Sequence, residues 1–323
     1  MAHVRCDLCG NDMPIPLAQG SRFGIPVTVS ICGRCGLVYQ NPRMADDALS
    51  AFYQHDYRAI YSGNPAEPPP NFIEEQMAQG QRVLGLCRPH LRHGGSVLDV
   101  GCGPGGTLLP FREAGFQVQG IEPGAYGAWG AAHFGLDIAI GTLEAFPAED
   151  RYDLVVLSFV LEHVHAPQTV LRQARRALAP QGLVYVEVPN LMRPVRPLTD
   201  YFHVAHLTYF TTQTLGAMLQ RAAFEVLVLD GAGRYSIRVI GRRSLPHRAA
   251  GEEVLPGAEH VKAVRSLVRR QVILTRIELW LWAGARPLLR AGFALLSGVL
   301  GSAVAERVRA VTRGLYHRVR YQR

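Results

Sequence analysis

The stretch Val97–Gly124, VLDVGCGPGGTLLPFREAGFQVQGIEPG, decides the fold that this sequence predicts. An apolar, β-branched run at 96–100 leads directly into the glycine loop 101–106, and a helical pattern begins inside that loop. Glycines at such a junction let the backbone turn sharply and approach a ligand closely. A second strand-like run follows and ends at Glu122. The pattern predicts two parallel strands with a ligand-binding loop at their carboxyl ends.

Two acidic residues beside the loop indicate which ligand it binds. Glu122 lies 21 residues after Gly101, where a carboxylate accepts both hydroxyl groups of a ribose. NAD and S-adenosylmethionine both contain that ribose, so Glu122 does not distinguish them. Asp99 precedes Gly101 by two residues, and its charge suits the cationic methionine end of S-adenosylmethionine and repels a pyrophosphate. We therefore expect S-adenosylmethionine as the cofactor.

Residues 96–243 alternate short β-branched runs with helical patterns, which is typical of a parallel sheet with crossover helices. Strands are predicted at 96–100, 117–121, 137–140, 153–157, 183–188, 224–229 and 235–240, and helices at 72–91, 106–114, from about 126, 167–178 and 211–221. The last two strands are joined by too few residues for a helical crossover, so we expect them to pair antiparallel. The predicted fold is α/β, a Rossmann-like sheet of seven strands.

Four of the six cysteines form two Cys-x-x-Cys pairs near the N-terminus: Cys6, Cys9, Cys32 and Cys35. Each pair is followed by a glycine, Gly10 or Gly36, that permits a tight turn. Four thiolates close a tetrahedral zinc site and leave no open position for chemistry, so we expect a structural Zn²⁺. The chain begins without a basic and apolar secretory signal, which favours the cytoplasm and metal binding over disulfides.

The glycine loop and the segments after it resemble a known enzyme family. Val97–Gly124 is similar to the first two motifs of class I S-adenosylmethionine-dependent methyltransferases, and Tyr152–Val156, Ser158–Val164 and Ala177–Gly182 are similar to later ones. The resemblance implies a methyltransferase sheet with Leu143 and Glu144 near the adenine. The cofactor-binding residues implied by loop and resemblance together are Asp99, Gly101, Cys102, Gly103, Glu122, Pro123, Leu143, Glu144, Ser158 and Phe159.

The cysteine pattern, with Gly-Leu-Val after the second pair, resembles the N-terminal zinc module of deoxysugar C-methyltransferases. The aromatic stretch with Tyr53, Tyr57 and Tyr61 is also similar to that group. Two features depart from it: the glycine loop has the common Asp-Val-Gly-Cys-Gly form, and a short basic tail replaces a second α/β domain. Stand-alone methyltransferases of glycan and natural-product pathways fit the sequence equally well.

Three histidines are candidates for the catalytic base. Methyl transfer is an in-line displacement at the sulfonium methyl, and the acceptor's proton is removed where the chemistry needs it. His163 follows the fourth predicted strand, and His203 and His206 follow the fifth, all at the edge of the sheet where ligands bind. The alternative interpretation is that these histidines only pack or bond to the backbone. The His-x-x-x-Phe segment at His206 is similar to one found in many such methyltransferases.

The chain divides into four predicted segments. They are a zinc ribbon (1–45), a helical lid or linker (46–95), the cofactor-binding domain (96–243) and a basic helical tail (244–323). From residue 245 onward, 14 Lys and Arg stand against 5 Asp and Glu, whereas the first 244 residues are nearly balanced. The longest uncharged tail run, 291–305, is shorter than the roughly 20 residues that span a bilayer. The tail either packs on its own domain or a second subunit, docks peripherally on the inner surface of an anionic membrane, or contacts RNA.

These features together predict transfer of a methyl group to a small molecule, namely a sugar, glycan or natural-product intermediate. One alternative is an RNA methyltransferase that grips nucleic acid with ribbon and tail, but only Arg22 is basic between the cysteine pairs. The fourth strand also lacks the Asn-Pro-Pro-Tyr type of motif expected for methylation of a base amino group. The other alternative is a non-catalytic scaffold that retains the fold. The sequence leaves the oligomeric state open.

Overall fold

A computed structural model describes residues 1–52, 60, 64, 66–147, 149–244 and 255–275 of the chain. Tyr53, Tyr57 and Tyr61 of the predicted lid lie outside these ranges, as does the apolar part of the tail. The described strands are β1 (Pro14–Gly20), β2 (Val27–Cys32), β3 (Val38–Gln40), β4 (Ser96–Val100), β5 (Gln117–Glu122), β6 (Asp137–Ile140), β7 (Tyr152–Ser158), β8 (Leu178–Pro189), β9 (Thr208–Tyr209), β10 (Phe224–Asp230) and β11 (Ser236–Arg243).

The strands form two sheets, and helices pack against both of them. They are α1 (Asp46–Ala51), α2 (Pro70–Cys87), α3 (Leu109–Glu113), α4 (Ala125–Phe134), α5 (Pro167–Ala177), α6 (Leu198–Tyr201), α7 (Thr212–Arg221) and α8 (258–275). Short 3₁₀ turns at Arg88–His90, Gly106–Leu108 and Leu143–Ala145 connect several of them. Within the described ranges, no helix combines the length and apolar content needed to cross a membrane.

The larger sheet has the strand order β10-β11-β8-β7-β4-β5-β6. Strands β4 to β8 pair in parallel, and β11 pairs antiparallel with both β8 and β10. The chain runs outward from β4 in one direction to β6 and then returns to β7 on its other side. The carboxyl ends of β4 and β7 therefore border the crevice where open α/β sheets bind ligands. The predicted α/β sheet of seven strands, with its antiparallel final pair, is confirmed.

The three largest differences between the predicted and observed elements concern β8, α2 and α3. Strand β8 begins at Leu178 instead of 183, because Leu178 pairs with Tyr152 before residues 179–182 bulge out of the ladder. The predicted helix 72–91 ends at Cys87, and Pro89 lies in the 3₁₀ turn that follows it. The predicted helix 106–114 is divided into a 3₁₀ turn and the short α3, with Pro110 in the first turn of α3.

A second, antiparallel sheet has the order β1-β2-β3-β9. Its first three strands come from the cysteine-containing N-terminal module (residues 1–45), whereas β9 comes from the loop after β8 and pairs Tyr209 with Val38. Helix α8 covers this sheet, since Val261, Val264 and Val268 share a buried cluster with its apolar side chains. The N-terminal module, the loop after β8 and the start of the tail are thus packed as one unit.

Candidate active site

The glycine loop lies where two helices approach it more closely than a side chain would allow. Gly101 and Gly103 have φ angles of 67° and 57°, which L-residues with a Cβ rarely adopt. A Cβ on Gly130 of α4 would lie 2.1 Å from the carbonyl oxygen of Pro104. One on Gly80 of α2 would lie 2.3 Å from the carbonyl oxygen of Thr107. The loop is therefore fixed from both sides.

Helix α2 also fixes the loop through a residue that the sequence analysis missed. The Gln76 side chain donates from Nε2 to the Cys102 carbonyl at 3.1 Å, and its Oε1 accepts from the Gly106 amide at 3.1 Å. One turn later on the same face, Gln79 donates to the Ser158 hydroxyl at the end of β7. The helix was predicted, but nothing in its sequence shows that these two amides face the loop.

The two predicted carboxylates lie at the carboxyl ends of neighbouring strands. Glu122 accepts from the Gly103 amide at 3.0 Å and from the Gly124 amide at 2.9 Å, which orients it across the loop. Asp99 is 3% exposed at the end of β4. Burial raises the pKa of Asp99 to about 8, and the nearby Glu122 charge adds to the effect. A cation bound beside Asp99 would stabilise its charged form and so lower its pKa again.

The other predicted cofactor residues lie around this pair in different environments. Pro123 is exposed at the turn into α4, and the 3₁₀ turn after β6 buries Leu143 and exposes Glu144. The Cys102 thiol packs into the core beside Gly120, so it is the backbone of Cys102 that belongs to the loop. Strand β7 ends at Ser158, and the residue after it, Phe159, has a φ of 55°. That left-handed conformation is unusual for an aromatic residue and was not predicted.

The three histidines predicted as candidate bases lie together in space. The ring centre of His206 is 4.8 Å from that of His163 and 3.9 Å from that of His203. His163 Nδ1 donates to the Ala205 carbonyl at 2.9 Å, so Nδ1 carries a proton. Burial lowers the pKa of His203 to about 3 and holds the pKa of His206 well below its ordinary value. Both imidazoles are therefore neutral at pH 7.

Glu162 belongs to this cluster and was not singled out from the sequence. It is 1% exposed, and its Oε1 lies 3.9 Å from His163 Nε2. Burial raises the pKa of Glu162 to about 8. Val160, shortly before it in the chain, lies 3.1 Å from where a Cβ on Gly101 would be. The segment that continues to Glu162 and His163 therefore begins beside the glycine loop.

The N-terminal module holds the loop that carries two of these histidines. The buried Gln40 side chain of β3 places Nε2 2.8 Å from the His203 carbonyl oxygen and 2.7 Å from that of His206. The Gln40 backbone amide donates to Leu207 at 2.9 Å. One residue of the module therefore fixes the backbone on both sides of the histidine segment.

The four cysteines of the N-terminal module converge as their spacing predicts. The Sγ atoms of Cys6 and Cys35 are 3.5 Å apart, as are those of Cys9 and Cys32, and all four lie within 4.8 Å of one another. A tetrahedral ion with metal–sulfur bonds of about 2.3 Å needs sulfurs separated by about 3.8 Å. Gly10 and Gly36 have positive φ angles of 72° and 73° and close the two turns. The geometry fits one four-thiolate metal ion.

The comparisons with known proteins find a similarity that covers most of the larger sheet. Residues 72–229 match a family model described as a methyltransferase domain. This segment, just under half of the chain, is thus similar to methyltransferase domains. It carries the glycine loop, the acid pair and the histidine cluster, and the four cysteines lie outside it.

Two curated relatives and one solved structure show how far the similarity reaches. A ubiquinone biosynthesis O-methyltransferase from Bradyrhizobium sp. (strain ORS 278) is 33% identical over 100 residues, 29% of this chain and 40% of that protein. C-methyltransferase NovU from Streptomyces niveus is 27% identical over 230 residues, 68% of this chain and 51% of that protein. The chain thus spans about half or less of these relatives. The structure of Burkholderia thailandensis 1,6-didemethyltoxoflavin-N1-methyltransferase is 20% identical with a TM-score of 0.46, covering 67% of this chain and 98% of that one.

Proposed function

We propose that this protein transfers a methyl group from S-adenosylmethionine to a small-molecule acceptor, a sugar, glycan or natural-product intermediate. The observation that carries the proposal is the buried Asp99 beside Glu122 at the rim of the glycine loop. Two carboxylates in one pocket disfavour the diphosphate of NAD and suit a ligand with a cationic end and a ribose. When bound, S-adenosylmethionine supplies an electrophilic methyl group.

The residues around the loop divide the binding of this cofactor among them. Asp99 pairs with the methionine end, and Glu122 accepts from the ribose hydroxyl groups. The backbone of Gly101, Cys102 and Gly103 follows the cofactor along the loop. Pro123, Leu143 and Glu144 flank the adenine, and Ser158 and Phe159 border the end that carries the methyl group.

We assign removal of the acceptor's proton to the histidine cluster. His163 and His206 come before His203 in this assignment, because His203 is only 2% exposed. The acceptor atom is proposed to be oxygen or carbon, since the similar curated proteins are named O- and C-methyltransferases. The match to the C-methyltransferase covers 230 residues and so extends beyond the segment 72–229 that matches the family model.

The cysteine module is proposed to hold a structural Zn²⁺. Cys6, Cys9, Cys32 and Cys35 fill all four positions of a tetrahedral ion, so the ion takes no part in the reaction. The function of the ion is to keep β3 in place. Because Gln40 of β3 binds the histidine segment, the ion also keeps that segment in place.

Helix α8 supports a further proposal, peripheral contact with an anionic membrane surface. Its buried side contacts the second sheet, and its outer side exposes Lys262, Arg269 and Arg270. Ile273 and Leu274 are 57% and 45% exposed beside them. Basic residues next to exposed apolar ones are typical of helices that lie on anionic lipid. Salt-sensitive binding to vesicles with anionic lipid, and none to neutral vesicles, is the expected result.

The deciding experiment combines binding with transfer. Calorimetry is expected to detect S-adenosylmethionine and not NAD, and Glu122→Ala is expected to weaken binding by about 1–3 kcal/mol through lost ribose bonds. The matched control Glu149→Ala changes an exposed acid remote from the loop and should bind normally. Methyl-labelled cofactor is then offered with sugar nucleotides, lipid-linked glycans or RNA. Label in RNA alone would contradict the proposed acceptor, and binding of NAD alone would contradict the cofactor.

A further inference from the structure

We propose that Glu162, His163 and His206 bind a divalent transition-metal ion at the acceptor side of the methyl-transfer site. One ligand atom from each of the three residues lies within 4.8 Å of the other two. Metal–nitrogen and metal–oxygen bonds of about 2.0–2.2 Å bring ligand atoms to about 3–4 Å from one another. The separation of 3.9 Å between His163 Nε2 and Glu162 Oε1 already lies in this range.

The polar atoms of this cluster lack the partners that buried groups normally have. Among the described residues, neither carboxylate oxygen of Glu162 has a hydrogen-bond partner, and neither does His206 Nδ1. A carboxylate that is 1% exposed is costly unless it is paired or binds a metal ion. A single cation held between Glu162 and His206 would account for the unpartnered atoms of both residues.

The orientation of His163 is also that of a metal ligand. Its Nδ1 bonds the Ala205 carbonyl at 2.9 Å, which leaves Nε2 as the atom that faces Glu162. Metal-binding histidines commonly donate from their second nitrogen to a backbone carbonyl in this way, which fixes the tautomer and the ring. The loop that supplies Ala205 and His206 is held in turn by Gln40.

Two imidazoles and one carboxylate suit zinc, manganese or ferrous iron, and three protein ligands leave coordination positions open. This part of the inference rests on the proposed function. The hydroxyl oxygen of the acceptor would occupy an open coordination position, and the pKa of that hydroxyl group would fall there. With the ion bound, His163 and His206 would serve as its ligands instead of accepting the proton themselves, and a hydroxyl bound to the ion would lose its proton to water. Its oxygen would then form the new bond to the methyl carbon while the methyl–sulfur bond breaks and its electron pair stays on sulfur. The acceptor class is accordingly a hydroxyl or an enolisable carbonyl compound.

The test uses the full chain with zinc in the cysteine module and follows binding of Mn²⁺ by electron paramagnetic resonance. Mn²⁺ prefers oxygen and nitrogen ligands, so it reports the proposed site and leaves the four thiolates to zinc. The expected result is one bound Mn²⁺ per chain, with affinity reduced more than about tenfold in Glu162→Gln and in His206→Asn. Glu149→Gln removes the same charge from an exposed position and should bind Mn²⁺ normally.

Absence of bound Mn²⁺ in the unchanged protein, or equal affinity in Glu162→Gln, would overturn the inference. Zinc content and circular dichroism show whether the variants fold. If they do not, nitrogen couplings from two imidazoles in the spectrum of the unchanged protein decide the matter, and their absence counts against the site. Calorimetry with S-adenosylmethionine separates the two proposals. Cofactor binding without Mn²⁺ refutes the ion site alone, whereas Mn²⁺ binding without the cofactor refutes methyl transfer and supports the ion site.

Discussion

Replacement of Asp99 by Asn is expected to stabilise the protein and to weaken its binding of S-adenosylmethionine. Asp99 is buried beside Glu122, and its pKa is raised to about 8. In the unfolded chain the same carboxyl ionises near pH 3.9. Between these two values the folded protein holds a proton that the unfolded chain has lost, so stability falls as the pH rises from about 4 to about 8. Asn carries no charge and is free of this penalty.

The size of the effect follows from the difference between the two pKa values. A difference of roughly 4 units corresponds to about 5 kcal/mol at pH 8, since each unit is worth about 1.4 kcal/mol. Burial of an amide in place of the carboxyl offsets about 1–2 kcal/mol of this. Asp99→Asn should therefore raise the free energy of unfolding by about 3–4 kcal/mol at pH 8 and lower it by about 1 kcal/mol at pH 4, where the carboxyl carries no charge penalty to remove.

Urea unfolding followed by circular dichroism at several pH values measures this difference. Asp153→Asn is the matched control, because Asp153 lies at the opposite end of the sheet and accepts from the Ser96 amide at 2.9 Å. The control should show no gain that grows with pH. Calorimetry on Asp99→Asn should find cofactor affinity reduced at least about tenfold at pH 8. A stability difference that is constant from pH 4 to pH 8, or a variant less stable at pH 8, would refute the reasoning.

Three further predictions concern the supports of the site. Gln40→Ala should lower the rate of methyl transfer and leave cofactor affinity nearly unchanged, because it releases the histidine segment and not the glycine loop; steady-state kinetics and calorimetry together check this. Gly130→Ala should destabilise the protein by about 1–3 kcal/mol, because its Cβ would meet the Pro104 carbonyl, and thermal unfolding measures the loss. Removal of the proposed thiolate-bound Zn²⁺ by a chelator should lower both the melting temperature and the transfer rate, and a return of both on adding Zn²⁺ is the expected control.

Much of the site could be predicted because the residues that define it lie in short contiguous segments with recognisable patterns. The bounds of β4 and β6 are as predicted, since an apolar run between a polar and a glycine-rich segment defines both ends of a strand. The cysteine cluster follows from two local turns and the ligand number of zinc. The three histidines come together because each follows a parallel strand whose carboxyl end meets the same edge of the sheet.

The missed features depend on contacts between distant segments. The polar residues Gln40 and Gln76 show no pattern of their own, and they matter only because the fold brings backbone carbonyls to them. In the sequence, Glu162 is only one residue of the segment 158–164 that resembles a methyltransferase motif. Its burial in the structure is what makes it a candidate metal ligand. The bulge at the start of β8 arises from pairing with Tyr152, which no local signal encodes. The left-handed Phe159 likewise reflects its surroundings and not its own preference.

The pairing of β3 with β9 has a consequence for how such proteins can be altered. The sheet edge at Val38 is completed by residues about 170 positions later, so removal of the first 45 residues would leave β9 without its neighbour and Tyr209 without cover. A cysteine module transplanted from a homologue would have to bring a compatible partner for the distant segment. The gene segments that encode the cysteine module and the β9 region are therefore expected to be inherited together and to change together during evolution.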